Sequence, residues 1–344
     1  MKRSLLISVA NGDALQFKAD VLALKYAETL YGVDFAVFER LNEHGLQSRL
    51  PKLAGFTLRD TEGCIGAKYV LFVGVKPLRE FGYSEIREFA RKVLASLAGK
   101  APNVAHVALT IHGPGYGLDE IEAFESELAG IVDAVTSGEF PQALRSIAFI
   151  ERNVGRARRL SAALKKLLPN GSLPVDGRGS ISAFEDQVQN TLRTAGYSSA
   201  SKPHVFVAMP FAEEMDDVFH YGIQGAVNAA GLLCERADLS TFTGDVMDWV
   251  KRRISSATLV VADLSSANPN VYLEVGYAWG CRIPTVLLAR DTNDLKLDVK
   301  SQRCILYRSI KSLEESLRGE LLGLPKNSSP AASSESLALA PTAG

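Results

Sequence analysis

The sequence predicts a two-domain α/β protein whose second domain is a doubly wound, parallel sheet of five strands. Three observations predict it. Short continuous apolar runs alternate with helical patterns through most of the chain, as strands buried on both faces between helices do. A stretch dense in Gly, Ser and Pro, within 170–202, separates two such blocks. The length of 344 residues suits two domains better than one.

The elements support this in order. In block 1–169, SLLISVA and DVLALKY are rich in strand formers, and FAVFERLNEHG is a helical pattern closed by Gly45. KYVLFVGV reads as a buried strand, YSEIREFARKVLASLAG as an amphipathic helix and HVALTIHG as another buried strand. The helix LDEIEAFESELAGIVDAVTSG, the strand RSIAFIER and the basic helix RARRLSAALKKLL complete the block. Residues 170–202 are expected to link the two domains. Block 203–324 opens with the strand HVFVAMPF, a helix ending at Gly231, the short strand LLCERA and the helix DVMDWVKRRISSA. The apolar strand TLVVADLS, the helix NVYLEVGYAWG, the strands PTVLLAR and RCILY and the helix SIKSLEESLRGELLG follow. Residues 325–344 lack aromatics and periodic pattern and are expected to be disordered.

Composition narrows the function classes. With 47% hydrophobic and 22% charged residues the chain can build ordinary globular cores. A net charge of −1 argues against direct nucleic-acid binding or coating of an anionic membrane. Cys64, Cys234, Cys281 and Cys304 are scattered without a C-x-x-C pair, so neither a metal site nor a disulfide framework is expected. The apolar run in MKRSLLISVANGD is too short for a signal peptide, and no segment approaches the ~20 apolar residues that span a bilayer. A cytoplasmic protein without membrane contact is expected.

Ligands of doubly wound sheets bind outside the carboxyl ends of the strands. Three polar clusters fall there: Met209-Pro210-Phe211, Thr243-Gly244-Asp245, and the run from Asp263 through Ser265 to Glu274. Asp263 closes an apolar strand and is expected to face the crevice. Asn268-Pro269-Asn270 makes a turn and caps the next helix. Glu274 stands among Val271, Tyr272, Leu273 and Val275, where a packed helix usually carries an apolar side chain. The helix dipole is expected to keep it ionised. Such a carboxylate beside a sugar pocket fits a nucleophile or a stabiliser of an oxocarbenium ion. Plainer roles fit too: a strand-end cap for Asp263, turn and cap for the asparagines, a solvated first-turn glutamate for Glu274. In the first block Gly113-Pro114-Gly115-Tyr116-Gly117 fits either a backbone-amide cradle for an anion ahead of a helix or a simple turn.

The second block resembles the nucleoside 2-deoxyribosyltransferase-like superfamily, whose fold is related to TIR domains. VFVAMPF, TLVVADLS, NPNVYLEVGYA, PTVLLAR and KLDVKSQRCILY carry the resemblance. It implies a flavodoxin-like sheet, a nucleophile at Glu274, sugar or base contacts from Asp263, and Asn268 and Asn270 near the 5′ side of the sugar. Met209, Pro210, Phe211, Asp245, Ser265 and Tyr277 complete the expected substrate site. No cofactor is expected, a nucleoside, nucleotide or NAD being substrate or ligand. Relatives build their sites across subunit contacts. Tyr272, Tyr277 and Trp279 cannot all face one sheet from one short helix, so a homo-oligomer is expected.

The first block is similar to macro domains and to the domain that opens leucine aminopeptidases, which implies a three-layer α/β macro-like fold. Gly12-Asp13 before KADVLALKY, GVDFAVFERLNEHG with its Asp34, GAKYVLFVGV, and LTIHGPGYGLDEIEAF carry this resemblance. It implies a nucleotide-type ligand held by Gly12, Asp13, Asp34, Gly113, Gly115 and Tyr116. The family's hydrolases carry asparagine where this chain has Lys25-Tyr26, so binding rather than hydrolysis is implied for this domain. The pairing of the two domains implies an N-glycosidic enzyme regulated by a nucleotide in bacterial immunity. A non-catalytic nucleotide sensor and a TIR-like assembly module are the alternatives.

Overall fold

The computed structural model describes residues 3–46, 49–175, 185–236, 246–296, 299 and 302–323. They form two compact units: Met1–Lys202 with Arg236–Val246, and Pro203–Glu235 with Met247–Gly344.

The first unit is built on a seven-stranded mixed sheet. Its strands are β1 (Arg3–Asn11), β2 (Val21–Tyr26), β3 (Phe56–Asp60), β4 (Tyr69–Gly74), β5 (His106–Thr110), β6 (Ser146–Glu151) and β7 (Ser172–Val175), in the order β3-β4-β2-β5-β6-β1-β7. The five apolar runs of the sequence become the parallel centre of the sheet, while β3 and β7 are antiparallel edges. Alternate side chains go to opposite faces. Leu22, Leu24, Phe72, Ala148 and Ile150 pack with Val37 and Leu41 of helix α1 (Gly32–Glu43). Phe149 instead meets Phe124 of α3 (Glu120–Thr136), their ring centroids 5.0 Å apart. Helix α2 (Tyr83–Lys100) packs along α3, and α4 (Val154–Leu167) lies on β1 and β6. The close approach of α2 and α3 needs Gly130, where a Cβ would overlap the Arg87 carbonyl. Helices on both faces give three layers. Within the span 170–202, β7 extends the sheet and helix α5 (Asp186–Thr194) packs on α3. Pro174 is tolerated in β7 because that strand is an edge.

The second unit holds a five-stranded sheet, all parallel. Its strands are β8 (His204–Ala208), β9 (Leu233–Glu235), β10 (Leu259–Asp263), β11 (Thr285–Ala289) and β12 (Cys304–Leu306), in the order β12-β11-β10-β8-β9. Counted from β8, this is the 2-1-3-4-5 order of the flavodoxin-like fold, whose switch point lies between the first and third strands, here β8 and β10. A π-helical segment Val218–Gln224 runs into α6 (Gly225–Ala229) and, with α9 (Ile310–Leu322), covers the face bearing Val205, Val207, Leu259 and Val261. Helix α7 (Val246–Ser256) precedes β10. Helix α8 (Pro269–Gly280) packs on β8, β10 and β11. No described helix is long and apolar enough to cross a membrane.

Candidate functional site

In the first unit the carboxyl ends of β1, β2, β5 and β6 open on a cavity of about 670 Å³, the size of a small-molecule site. Gly12, Asp13, Asp34, Gly113, Gly115 and Tyr116 all line it. After β1 the chain turns because Asp13 Oδ1 accepts the Leu15 N–H at 2.9 Å. After β5 it turns at Gly113, whose φ of 112° excludes other residues and where a Cβ would stand 3.1 Å from Ile86 Cδ1. Residues Pro114–Tyr116 then make a single 3₁₀ turn. The expected pairing of this glycine turn with the amides of the following helix does not form. Asp119 caps α3 itself, accepting the N–H groups of Ile121 and Glu122 at 3.0 Å each. The helix end that faces the cavity is that of α1, whose Tyr31, Gly32, Val33 and Asp34 line it and whose N-cap residue Tyr31 makes no side-chain capping bond.

On the floor of the cavity Asp34 and Tyr116 are expected ligand residues, whereas Lys25 and Thr110 are not. Lys25, at the end of β2, reaches Asp34 with its Nζ 2.5 Å from Oδ2, both residues buried. Burial pushes the Asp34 carboxyl up while Lys25 pulls it down. His112 is buried, its imidazole held well below the usual range by burial and then by the Lys25 charge. Burial pushes the Tyr116 phenol well up, and nearby Asp34, Glu127 and Glu85 add to it. Glu127 of α3 is fully buried and pushed well up, although one carboxyl oxygen accepts the His112 N–H at 3.4 Å. Thr110 and Arg152 complete this polar lining. One signal was available: Lys25 is the single cation inside DVLALKY, and a charge there has to be paired.

In the second unit Met209 and Pro210 are buried at the end of β8, and Phe211 is 40% exposed beside them. Asn268 caps α8, accepting the Asn270 N–H at 2.9 Å, with Asn270 itself exposed. Glu274 is thus the sixth residue of α8, a full turn beyond the first, where the dipole has faded. Burial alone acts on it and lifts its carboxyl to about 7. The expected fully ionised state is therefore corrected, because desolvation outweighs the distant helix end. Among the described residues Glu274 has neither a hydrogen-bond donor nor a charged partner.

Asp263 also departs from expectation. Its carboxylate is fully enclosed rather than facing the crevice, because Oδ1 accepts the Ser265 N–H at 2.9 Å and Oδ2 the Tyr307 hydroxyl at 2.7 Å. Burial, then Asp263, pushes Tyr307 up to about 12. Ser265 is buried and its Oγ accepts the Arg290 N–H at 3.1 Å. Ser266 and Ala267 follow with φ of 67° and 49°, a left-handed pair that non-glycine residues avoid and that no sequence pattern announces. Tyr277 is raised chiefly by its hydrogen bond with Cys281, the residue that follows α8. The structure thus gathers Met209, Pro210, Phe211, Asp263, Ser265 and Asn268 at the carboxyl ends of the switch-point strands. It does not make Asp263 and Glu274 an interacting carboxylate pair, since no charge contributes to the Glu274 shift. Asp245 and the rest of its cluster lie outside the described residues.

No protein-family model matches the chain, and no curated protein matches it. Among solved structures the chain is similar to a Trypanosoma brucei macrodomain in complex with ADP, at 16% identity over 46% of this chain and 69% of that one, with a TM-score of 0.37. It is similar to an Oceanobacillus iheyensis macrodomain with MES bound, at 12% identity over 49% and 99% of the two chains, with a TM-score of 0.36. It is similar as well to a Clostridium botulinum CMP N-glycosidase, at 17% identity over 34% and 98%, with a TM-score of 0.30.

Proposed function

We propose that the second unit cleaves or transfers the N-glycosidic bond of a nucleoside, nucleotide or NAD, and that the cavity of the first unit binds a nucleotide-type ligand that regulates it. The observation that carries the catalytic reading is Glu274: a desolvated carboxyl without a protein partner, on the helix that packs against the switch-point strands. A carboxyl ionising at about 7 is poised for use at neutral pH. In its ionised form Glu274 attacks the anomeric carbon. The C–N bond breaks and its electron pair leaves with the base, which takes a proton from solvent, or, as the nicotinamide of NAD, leaves neutral without one. Water, or a second base, then attacks the glycosyl ester and restores the carboxylate. Phe211, partly exposed at the end of β8, offers a ring on which the base stacks. Asp263 acts through Tyr307 and Ser265, holding the strand-end turn in place, rather than by touching substrate.

The enclosed Asp263 favours a second reading, in which the second unit binds a nucleotide without turning it over. Incubating the full chain with nucleosides, nucleotides and NAD and chromatographing the released base separates the two. Turnover is expected, with an acidic limb near pH 7 set by Glu274 ionisation. Glu274→Gln is expected to lose at least about tenfold in rate. An active wild type matched by an equally active variant removes the nucleophile assignment.

A further inference from the structure

Five buried side-chain polar atoms have no protein hydrogen-bond partner among the described residues: Asp34 Oδ1, Thr110 Oγ1, His112 Nε2, Tyr116 OH and Glu127 Oε1. They are not scattered. Four belong to residues lining the cavity of the first unit. The fifth belongs to the carboxyl that accepts the His112 backbone N–H. Folded proteins leave few buried polar groups unpaired, so four in the lining of one cavity, with a fifth behind it, mark a built recognition surface.

The charge state of that surface selects its ligand. Burial favours the neutral forms of Glu127, His112 and Tyr116 alike. The one ion pair on the floor, Lys25 with Asp34, is internally balanced. A phosphate or carboxylate pushed into such a floor loses its hydration and meets an ammonium already committed to Asp34. An uncharged group carrying donors and acceptors on neighbouring atoms loses far less and can pair with hydroxyl, imidazole and carboxyl together. The rim is different. The exposed Arg152 has no acidic partner among the described residues, and the start of α1 opens on the same cavity. That side suits the anionic part of a ligand.

We propose that the floor formed by Asp34, Thr110, His112 and Tyr116, backed by Glu127, receives the uncharged, hydrogen-bonding end of a phosphorylated ligand, whose phosphate stays at the Arg152 rim. The uncharged end is a pair of sugar hydroxyls or the edge of a nucleobase. The inference rests on the reading of this cavity as a nucleotide-type site and is independent of the chemistry of the second unit.

Calorimetric titration of the full chain with inorganic phosphate, ribose 5-phosphate and nucleoside monophosphates tests it, alongside Thr110→Val and Tyr116→Phe. Each variant is expected to weaken the organic phosphates roughly three- to tenfold, as one lost hydrogen bond does, and to leave inorganic phosphate unchanged. Each is also expected to raise the melting temperature of the ligand-free protein, because an unpaired buried hydroxyl is removed. A structural hydroxyl would shift melting the other way. A penalty already present with ribose 5-phosphate assigns the floor to sugar hydroxyls, and one confined to nucleoside monophosphates assigns it to the base. Organic phosphates that bind no tighter than inorganic phosphate, or that bind both variants as well as wild type, overturn the proposal while leaving the cavity a nucleotide site. Failure of every phosphate to bind removes that underlying reading as well. Lower melting temperatures in both variants also overturn it, since the hydroxyls would then be paired through water within the fold.

Discussion

Replacing Glu274 with Gln tests the burial argument independently of any reaction. In the fold its carboxyl ionises at about 7 against an ordinary value of 4.5. The folded state therefore holds this proton more tightly than the unfolded chain does. Stability linked to the group is whole below pH 4.5 and is lost as the pH rises to about 7. At about 1.4 kcal/mol per pH unit, that interval amounts to roughly 3 kcal/mol. Gln keeps the size and never ionises, so the variant escapes the loss. Trp249 and Trp279, the two tryptophans of the chain, both lie in the second unit, so tryptophan fluorescence reports that unit's melting. The melting temperature of Glu274→Gln minus that of wild type is expected to grow by on the order of 10 °C between pH 4.5 and 8. Every other titrating group is common to both proteins and cancels in the difference. A difference that stays flat across this range, or shrinks with pH, refutes the reasoning: Glu274 would then be hydrated or paired with a cation.

Three further outcomes are expected. Tyr307→Phe leaves Asp263 Oδ2 without its donor and should cost about 1–3 kcal/mol in urea unfolding followed by tryptophan fluorescence. An unchanged midpoint would show that the pair contributes nothing. Lys25→Met strands the Asp34 charge and should destabilise the first unit by about 3–5 kcal/mol, while Lys25→Met combined with Asp34→Asn recovers much of that, read by circular dichroism melts. On α8, Leu273 is 59% and Trp279 39% exposed, and a homo-oligomer would cover apolar groups of this kind. Light scattering at micromolar concentration should report an oligomer that Leu273→Glu dissociates, and a strictly monomeric active protein removes the idea that a neighbouring subunit completes the site.

The central strands are legible because a strand buried on both faces must be apolar along most of its length, and VLAL and VLFV leave little choice. The edges are not. β3 reads FTLRD, polar and half-exposed, and its pairing with β4 depends on a neighbour rather than on its own pattern. β7 reads SLPV, and its proline argues against a strand until the strand is known to be an edge. The stretch 170–202 looked like a linker because local composition says nothing of the surface that receives it.

The candidate sites show the same division between what a residue is and what surrounds it. Glu274 drew notice as a carboxylate in an apolar helix. The same rule applies to Glu127, set in FESELAGIVDAV, and the structure buries Glu127 the more deeply of the two. What the rule cannot give is the partner. Glu127 has a backbone N–H at one oxygen and His112, Tyr116 and Lys25 around it, directly behind the cavity lining. Glu274 has burial and, among the described residues, no partner. Two carboxyls that one sequence rule selects for one reason thus part in their surroundings. Under the proposed function, Glu274→Gln should lose at least about tenfold in base release, whereas Glu127→Gln, which keeps a neutral side chain behind the cavity lining, should leave nucleoside monophosphate affinity in calorimetry within about threefold of wild type.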